Sequence, residues 1–294
     1  MSALSLGELA ISDDEFARFR DLVRDHTGIT LGPHKRHLLR ARLGRRLRAL
    51  GMTTFAEYYE YLTEPSGAGA SEVIAFINAI TTHKTDFFRE PHHFEYLSRR
   101  WAPMWRAAAE RGGKPRLRLW SAACSSGEEP STLAMVLAEA GLMPPVWDTR
   151  ILASDIDTDC LAQTERGVYQ VDRVAPVPAD LLRRHFLRGT GRYGAEVRLR
   201  PELRALLAVR RINLAETTWP LRTRFHVIFC RNTLIYFDRA MQKAVLERLV
   251  SFLEPGGLLC LGHAESVFGL VDGLSHLGNT IYARTVDVRA GLTP

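Results

Sequence analysis

The chain has 294 residues, 46% hydrophobic and 24% charged, with 39 Lys and Arg against 33 Asp and Glu and a formal net charge of +6. That composition excludes a disordered polar chain and fits one large domain or two smaller ones with buried cores. The excess charge sits in one segment: Thr30 to Ala56 holds no acid, while Lys35, Arg36, Arg40, Arg42, Arg45, Arg46 and Arg48 supply seven cations, which excludes a uniformly basic surface.

No basic stretch followed by an apolar run opens the chain, and no run approaches the roughly 18 apolar residues of a membrane span. A cytoplasmic protein without membrane insertion is expected. Cys124, Cys160, Cys230 and Cys260 are isolated, with no CxxC pair, so reduced thiols are expected rather than a zinc site or disulfides.

Helices dominate the first eighty residues. Ser12-Asp13-Asp14-Glu15 is a capping box, in which the Ser hydroxyl and Glu carboxylate satisfy free N–H groups of the first turn; Phe16, Phe19, Leu22 and Val23 follow at helical spacing. Thr54-Phe55-Ala56-Glu57 repeats the signal. Between them Pro33 fits the first turn of the basic helix. Leu39, Leu43, Leu47 and Leu50 fall on one face of it, with Arg42, Arg45 and Arg48 pointing roughly the opposite way. Pro65 to Gly69 reads as a loop and Glu72 to Ile80 as a further helix.

An aromatic-rich helix is expected from His92 to Glu110. Its His92-His93 pair has no third ligand at metal spacing and reads as a solvated helix end. The pattern then changes. Strand-like runs at Leu117–Trp120, Arg150–Ser154, Val209–Asn213, His226–Cys230 and Leu258–Leu261 are separated by helical stretches, notably Glu129–Ala140, Asp159–Arg166 and Arg239–Leu253. This alternation predicts an α/β fold, a parallel sheet with helices on both faces. The interval Val174 to Leu207 is too long for a plain βα connection; its Gly189–Gly194 turn, followed by Val197–Arg200, suggests a small hairpin subdomain.

In such a sheet the ligand sits beyond the C-terminal strand ends, near the switch in strand order. The first strand ends in SAACSSGEEP, Ser121 to Pro130. Small residues there let a ligand approach the backbone. The spacing is not GxGxxG, and Glu128 and Glu129 would repel a pyrophosphate while suiting an ammonium or sulfonium group. Alternatively these acids only favour a helix N-terminus. The second strand ends in Asp155-Ile156-Asp157, where an acid commonly accepts from ribose hydroxyls; alternatively Asp157 or Thr158 starts the next helix. The fourth ends in CRNTLIYFD, Cys230 to Asp238, placing polar groups and a phenol at the same rim, and Pro255-Gly256-Gly257 turns into the next strand.

Together with Thr81–Glu90 (TTHKTDFFRE), Trp120–Ala134, Ala153–Thr158 (ASDIDT), Arg188–Arg200 (RGTGRYGAEVRLR), Phe229–Asp238 and Gly262–Glu265 (GHAE), these motifs resemble the chemotaxis receptor methyltransferases of the CheR type over nearly the whole chain. The resemblance implies a Rossmann-like class I S-adenosylmethionine-dependent methyltransferase domain over 81–294. It also implies a small N-terminal all-α receptor-docking domain over 1–80 and a β-subdomain inserted at about 174–207. It implies S-adenosylmethionine as cofactor, S-adenosylhomocysteine as product, and chemoreceptor glutamates as acceptors, converted to methyl esters for sensory adaptation. Cofactor contacts carry over to His83, Thr85, Arg89, Glu129, Asp155, Asn213, Leu214, Arg231 and Asn232. His83 stands where the family usually has Asn, and Ser131 where it usually has Tyr in a GEEPYS pattern; cofactor affinity and pocket shape are what these departures touch.

A sulfonium methyl is already activated and a glutamate of ordinary pKa, about 4.3, is anionic near neutral pH, so alignment and partial desolvation are required rather than a strong base. Arg89, holding a carboxylate, and Tyr236, orienting the attacking oxygen, are the candidate catalytic residues. Read locally, Arg89 would pair with Glu90 or a neighbour and Tyr236 would be a half-buried core aromatic. Lys35, Arg42, Arg45 and Arg48 are expected to dock the acidic methylation region of a receptor. The β-subdomain is expected to take a receptor C-terminal pentapeptide by strand addition, and the protein to be a monomer. Two other functions compete. A nucleic-acid methyltransferase would lay the basic stripe on phosphates, but CRNTLIYF lacks the NPPY-type loop of base amino methylation, so no nucleic-acid partner is expected. A catalytically weak S-adenosylmethionine-binding module is opposed by Glu129, Asp155, Arg231 and Asn232 and kept open by His83.

Overall fold

The computed structural model describes residues 10–64, 69–109 and 115–285; most of the Pro65–Gly69 turn and the end of the aromatic helix at Glu110 lie outside them. Helix α1 (Asp13–Thr27) begins at the Ser12–Glu15 capping box, both halves of which form, and stops at Gly28 in the left-handed conformation. A 3-10 turn at Pro33–Lys35 leads into α2 (Arg36–Leu50), α3 (Phe55–Thr63) carries the second capping box, and α4 (Ala70–Ile80) follows. These helices share a core around Phe19, Leu39, Leu43, Leu47, Tyr58 and Phe76. Leu50, expected on the same face, is 36% exposed, because it closes α2 beyond the packed stretch. Buried Glu72 of α4 ties the bundle together: it accepts from Arg46 Nε at 2.9 Å and Nη2 at 2.7 Å, and from the Tyr58 hydroxyl at 2.7 Å.

The aromatic segment forms α5 (His92–Tyr96), a π-helical turn at Leu97–Trp101 and α6 (Ala102–Ala109). The α/β unit then runs β1 (Arg116–Ala122), α7 (Glu128–Glu139), β2 (Asp148–Asp155) and α8 (Thr158–Arg166). It is interrupted by β3 (Val168–Gln170), α9 (Ala179–His185), β4 (Phe186–Arg188), β5 (Glu196–Leu199) and α10 (Pro201–Arg204). It resumes with β6 (Leu207–Arg211), β7 (Phe225–Cys230), α11 (Arg239–Ser251), β8 (Leu253–Leu261), β9 (Leu274–Gly278) and β10 (Ile281–Arg284).

The main sheet has seven strands in the order β6-β2-β1-β7-β8-β10-β9. The first five are parallel, whereas β10 pairs antiparallel with both β8 and β9. The expectation of a wholly parallel sheet is therefore corrected at its end, where Asn279 and Thr280, both at positive φ, make a two-residue hairpin turn. Strand side chains alternate between two cores. Leu117, Leu119, Val227 and Phe229 pack on the α5–α7 side, while Trp120, Ala122, Ile228 and Cys230 pack on the α11 side. The interruption is a three-stranded antiparallel sheet, β3-β5-β4, rather than one hairpin, and its first strand starts at Val168, ahead of the expected Val174 boundary.

Candidate active site

The chain leaves β1 for β2 and β6 on one side and returns to β7 on the other, so a crevice opens at the C-terminal ends of β1, β2 and β7. A cavity of about 350 Å³ fills it. Its floor is Ala123 to Ser125, Glu129, Asp155 and Arg231 to Thr233; its roof is Ile29, Leu31, Lys35 and Leu38 of the helical bundle, with the Thr81–Arg89 strap at the side. A smaller apolar lobe of about 60 Å³ adjoins it, lined by Ile29, Ile156, Ile212, Leu214 and Phe237. The small residues after β1 have a physical reason. Ala123 and Ser125 have φ of 62° and 51° and Gly127 has 95°, and a Cβ on Gly127 would fall 2.8 Å from Thr164 Oγ1 and 2.9 Å from the Tyr169 hydroxyl.

The two adjacent glutamates do different things. Glu129 lines the cavity, accepting from Ser121 Oγ and from Arg231 Nε, each at 2.7 Å. Glu128 is fully buried away from it and accepts from Ser126 Oγ and Arg173 Nη2, each at 2.7 Å. The same Arg173 nitrogen donates to the Thr85 carbonyl at 2.7 Å, so Glu128 holds the strap in place through Arg173. Arg173 carried no local signal in the sequence.

Asp155 ends β2 at the junction of the two lobes. Its carboxylate accepts one backbone N–H on each oxygen, from Ser125 at 2.8 Å and Asp157 at 3.0 Å, which leaves a further acceptor position on each. Burial pushes its pKa up, and those two N–H groups pull the other way. Asp157 is the N-cap of α8 and also accepts from Thr81 Oγ1 at 2.9 Å, with His83 Nε2 at 2.8 Å. His83 thus lines the cavity while bound to a helix cap. The Asn213 amide is engaged by the His26 carbonyl and the Ala215 N–H, and Leu214 faces the small lobe.

Arg231 is a buried hub. Besides Glu129 it donates from Nη1 to the Arg89 carbonyl at 2.6 Å and to His93 Nδ1 at 3.0 Å, and lies over the rings of Phe94 and Phe229. Asn232 has φ 56° and donates from Nδ2 to Glu90 Oε1 at 3.2 Å. Glu90 is the partner of Arg231, Asn232 and His263, not of Arg89, which overturns the local reading of Arg89. Although burial pushes the Glu90 carboxyl up, His263, Arg231 and Asn232 together hold it below its ordinary value. Arg89 donates to the Lys84 carbonyl at 2.6 Å and has no ion-pair partner among the described residues. Tyr236 is half-buried and lines both lobes; its carbonyl accepts from the Thr30 N–H, fastening the bundle over the rim.

His93 is fully buried, which corrects the solvated reading of the His92-His93 pair: Nδ1 accepts from Arg231 and Nε2 donates to the Asn279 carbonyl. Among the described residues Glu90, His92 and His93 have metal-ligand character, as do His83, Asp157 and Cys160. In the first group the Arg231 guanidinium already supplies a cation beside His93 and Glu90.

The basic helix is only partly free. Arg45 and Arg48 are exposed, and Lys35 is exposed at the cavity roof. Arg42 is corrected: it turns inward, donating to the carbonyls of Ile80 and Thr81 and to Thr82 Oγ1. Burial, with Arg45 beside it, lowers its pKa.

Residues 83–283 match the CheR methyltransferase SAM binding domain, and residues 14–81 match the CheR methyltransferase all-alpha domain. The chain belongs to the CheR methyltransferase family. It is 41% identical over 280 residues to the chemotaxis protein methyltransferase of Salmonella typhimurium, covering 95% of this chain and 93% of that one. It is 42% identical to chemotaxis protein methyltransferase 2 of Pseudomonas aeruginosa, covering 94% and 95%, and 40% identical to the Escherichia coli chemotaxis protein methyltransferase, covering 95% and 93%. The expected fold, a Rossmann-like S-adenosylmethionine-dependent methyltransferase domain with an N-terminal all-α part and a separate small antiparallel sheet, is the one observed. This CheR methyltransferase uses S-adenosylmethionine to methylate in chemotaxis. No helix among the described residues is long and apolar enough to cross a membrane.

The cavity's chemistry suits that cofactor. The apolar lobe lined by Ile212, Leu214 and Phe237 would suit a flat apolar base, and Asp155, at the junction, keeps acceptor positions of the kind a ribose diol requires. The larger lobe adds the Glu129 carboxylate and the Asn232 amide, an acceptor and a donor of the kind that an ammonium and a carboxylate require.

Proposed function

We propose that this CheR methyltransferase esterifies glutamate side chains in the acidic methylation region of chemoreceptors, acting in the cytoplasm as a monomer. Residues 1–80 serve as the docking domain and 81–294 carry the reaction. The observation that carries the reading is Arg89: a half-buried guanidinium lining the same cavity as Tyr236, bonded to one carbonyl and without an acid partner among the described residues. A cation left in that state favours an anionic acceptor.

When bound, S-adenosylmethionine supplies a methyl group already activated by its sulfonium. The acceptor glutamate, with an ordinary pKa of about 4.3, arrives ionised, so no side chain has to remove a proton. Arg89 and Tyr236 therefore hold and orient carboxylate oxygens, which limits the attack to one geometry. Asp155 accepts from the ribose, Leu214 and the Asn213 backbone border the base, and His83, Thr85, Glu129, Arg231 and Asn232 enclose the methionyl end. Ile29, Leu31 and Leu38 exclude water above the reacting groups. Lys35, Arg45 and Arg48 steer an acidic receptor helix to this mouth.

The test is incubation with labelled S-adenosylmethionine, receptor fragments and nucleic acid in parallel. Alkali-labile label on the receptor is expected; stable label on nucleic acid would overturn the reading. The small sheet, whose β3 and β4 are both edge strands, is the proposed tether for a receptor C-terminal pentapeptide. Pull-down of receptors with and without that tail tests it, and equal capture of both rejects the tether.

A further inference from the structure

Glu265 lies in the Gly262–Glu265 segment, which the cofactor and acceptor roles leave unused. Its buried carboxylate accepts four backbone N–H groups: Asn232 at 2.8 Å and Gly262 at 2.7 Å on Oε2, and Thr233 at 2.8 Å and Leu234 at 2.7 Å on Oε1. Three consecutive N–H groups converging in this way form a nest of the kind that ordinarily captures an anion from solution. Here the chain supplies its own. Asn232 takes this geometry at a φ of 56°, the left-handed conformation that asparagine tolerates better than most non-glycine residues. The fit is also tight from the other side: a Cβ on Gly262 would lie 2.4 Å from Asn232 Nδ2 and 2.9 Å from Glu265 Oε2. In the same segment His263 Nδ1 is 3.1 Å from the Glu90 oxygen that accepts from Asn232 Nδ2.

We infer that Glu265 is a positioning residue: its carboxylate holds the Arg231–Leu234 turn so that Arg231, Asn232 and Thr233 face the methionyl side of the cofactor cavity. It does not itself line the cavity, whereas those three residues do. Of the turn only Thr233 reaches the apolar lobe, whose other walls, Ile29, Ile156, Ile212 and Leu214, belong to other segments. The inference rests on the proposed cofactor orientation, and the two fail in different ways.

The experiment measures binding by calorimetry of S-adenosylhomocysteine and of 5′-methylthioadenosine, which keeps the adenosine and thioether but lacks the amino-acid end. Glu265→Gln preserves shape and removes the charge, turning an amide N–H₂ toward two N–H donors. It is expected to weaken S-adenosylhomocysteine about tenfold or more and 5′-methylthioadenosine by less than about threefold, because the weakened turn gives Arg231, Asn232 and Thr233 to the larger lobe and only Thr233 to the smaller one. Equal weakening of both, or of neither, would overturn the positioning role and leave Glu265 a general stabiliser or a bystander. If the parent protein binds neither compound, the cofactor-site reading itself fails and takes the inference with it. Should Glu265→Gln not fold, Glu265→Asp, with the charge kept one methylene further back, carries the same test, with the same one-sided loss expected and the same equal losses overturning it.

Discussion

Arg231 and Glu129 meet at 2.7 Å, Nε to Oε2, with both side chains at least nine-tenths buried. The pair joins the end of β7 to the start of α7, and Arg231 extends the link to the strap through the Arg89 carbonyl. Removing one member leaves a desolvated charge with fewer partners. Glu129→Ala is therefore expected to cost about 3–5 kcal/mol in urea unfolding, against about 1 kcal/mol for Ser121→Ala, which removes one hydroxyl from the same carboxylate. Similar losses from the two variants would reduce Glu129 to an ordinary acceptor.

His93 makes acid stability a local property. Burial, with Arg231 and His92 nearby, lowers its pKa from 6.5 to about 4. The unfolded chain takes up a proton near pH 6.5 and the folded one only near pH 4. The stabilisation is thus whole above pH 6.5 and lost as the pH falls toward 4, a drop on the order of 3 kcal/mol. His93→Asn should flatten that part of the stability profile, even if it lowers stability at pH 7. If the variant and the parent lose stability in parallel between pH 7 and 4.5, other groups carry the acid transition.

Local grammar made much of the fold legible. Both capping boxes, the Leu39-Leu43-Leu47 face and the alternation of strand and helix all rest on contacts within a few residues, and they stand in the structure. The terminal hairpin was not legible, because β9 is largely exposed and shows no apolar period, and its turn places Thr280 at a positive φ that its β-branched side chain disfavours. The site divides along the same line. Asp155, Glu129 and Arg231 stand at strand ends, where topology brings ligand groups together. Arg173, Glu90 and Glu265 act mainly through partners 31 to 173 positions away, so no local spacing announces their roles. Arg42 misled because helical geometry gives the direction of a side chain but not the carbonyls that await it.

Arg173 is the test of whether the inserted sheet supports the cofactor strap. Its removal leaves Glu128, fully buried, with Ser126 as its remaining side-chain donor among the described residues, and releases the Thr85 carbonyl. Arg173→Ala should destabilise the protein by about 3 kcal/mol and weaken S-adenosylhomocysteine binding. Arg173→Lys, able to make one of the two bonds, should fall between. Unchanged affinity in a destabilised Arg173→Ala protein would confine this arginine to a folding role.

The basic helix separates into two experiments because its arginines are not equivalent. Arg45 and Arg48 are exposed, while Arg42 is held against the Ile80 and Thr81 carbonyls at the root of the strap. The double variant Arg45→Glu, Arg48→Glu should lower receptor-fragment methylation about tenfold at low salt and leave S-adenosylhomocysteine binding intact, since steering acts on encounter alone. At 1 M salt, where the Debye length is about 3 Å, the difference from the parent should nearly vanish. Arg42→Glu instead presses a carboxylate on two carbonyl oxygens and should impair cofactor binding and methylation together, at any salt. A double variant that loses cofactor binding, or that methylates as well as the parent at low salt, sinks the docking role and leaves this face a solvated helix surface.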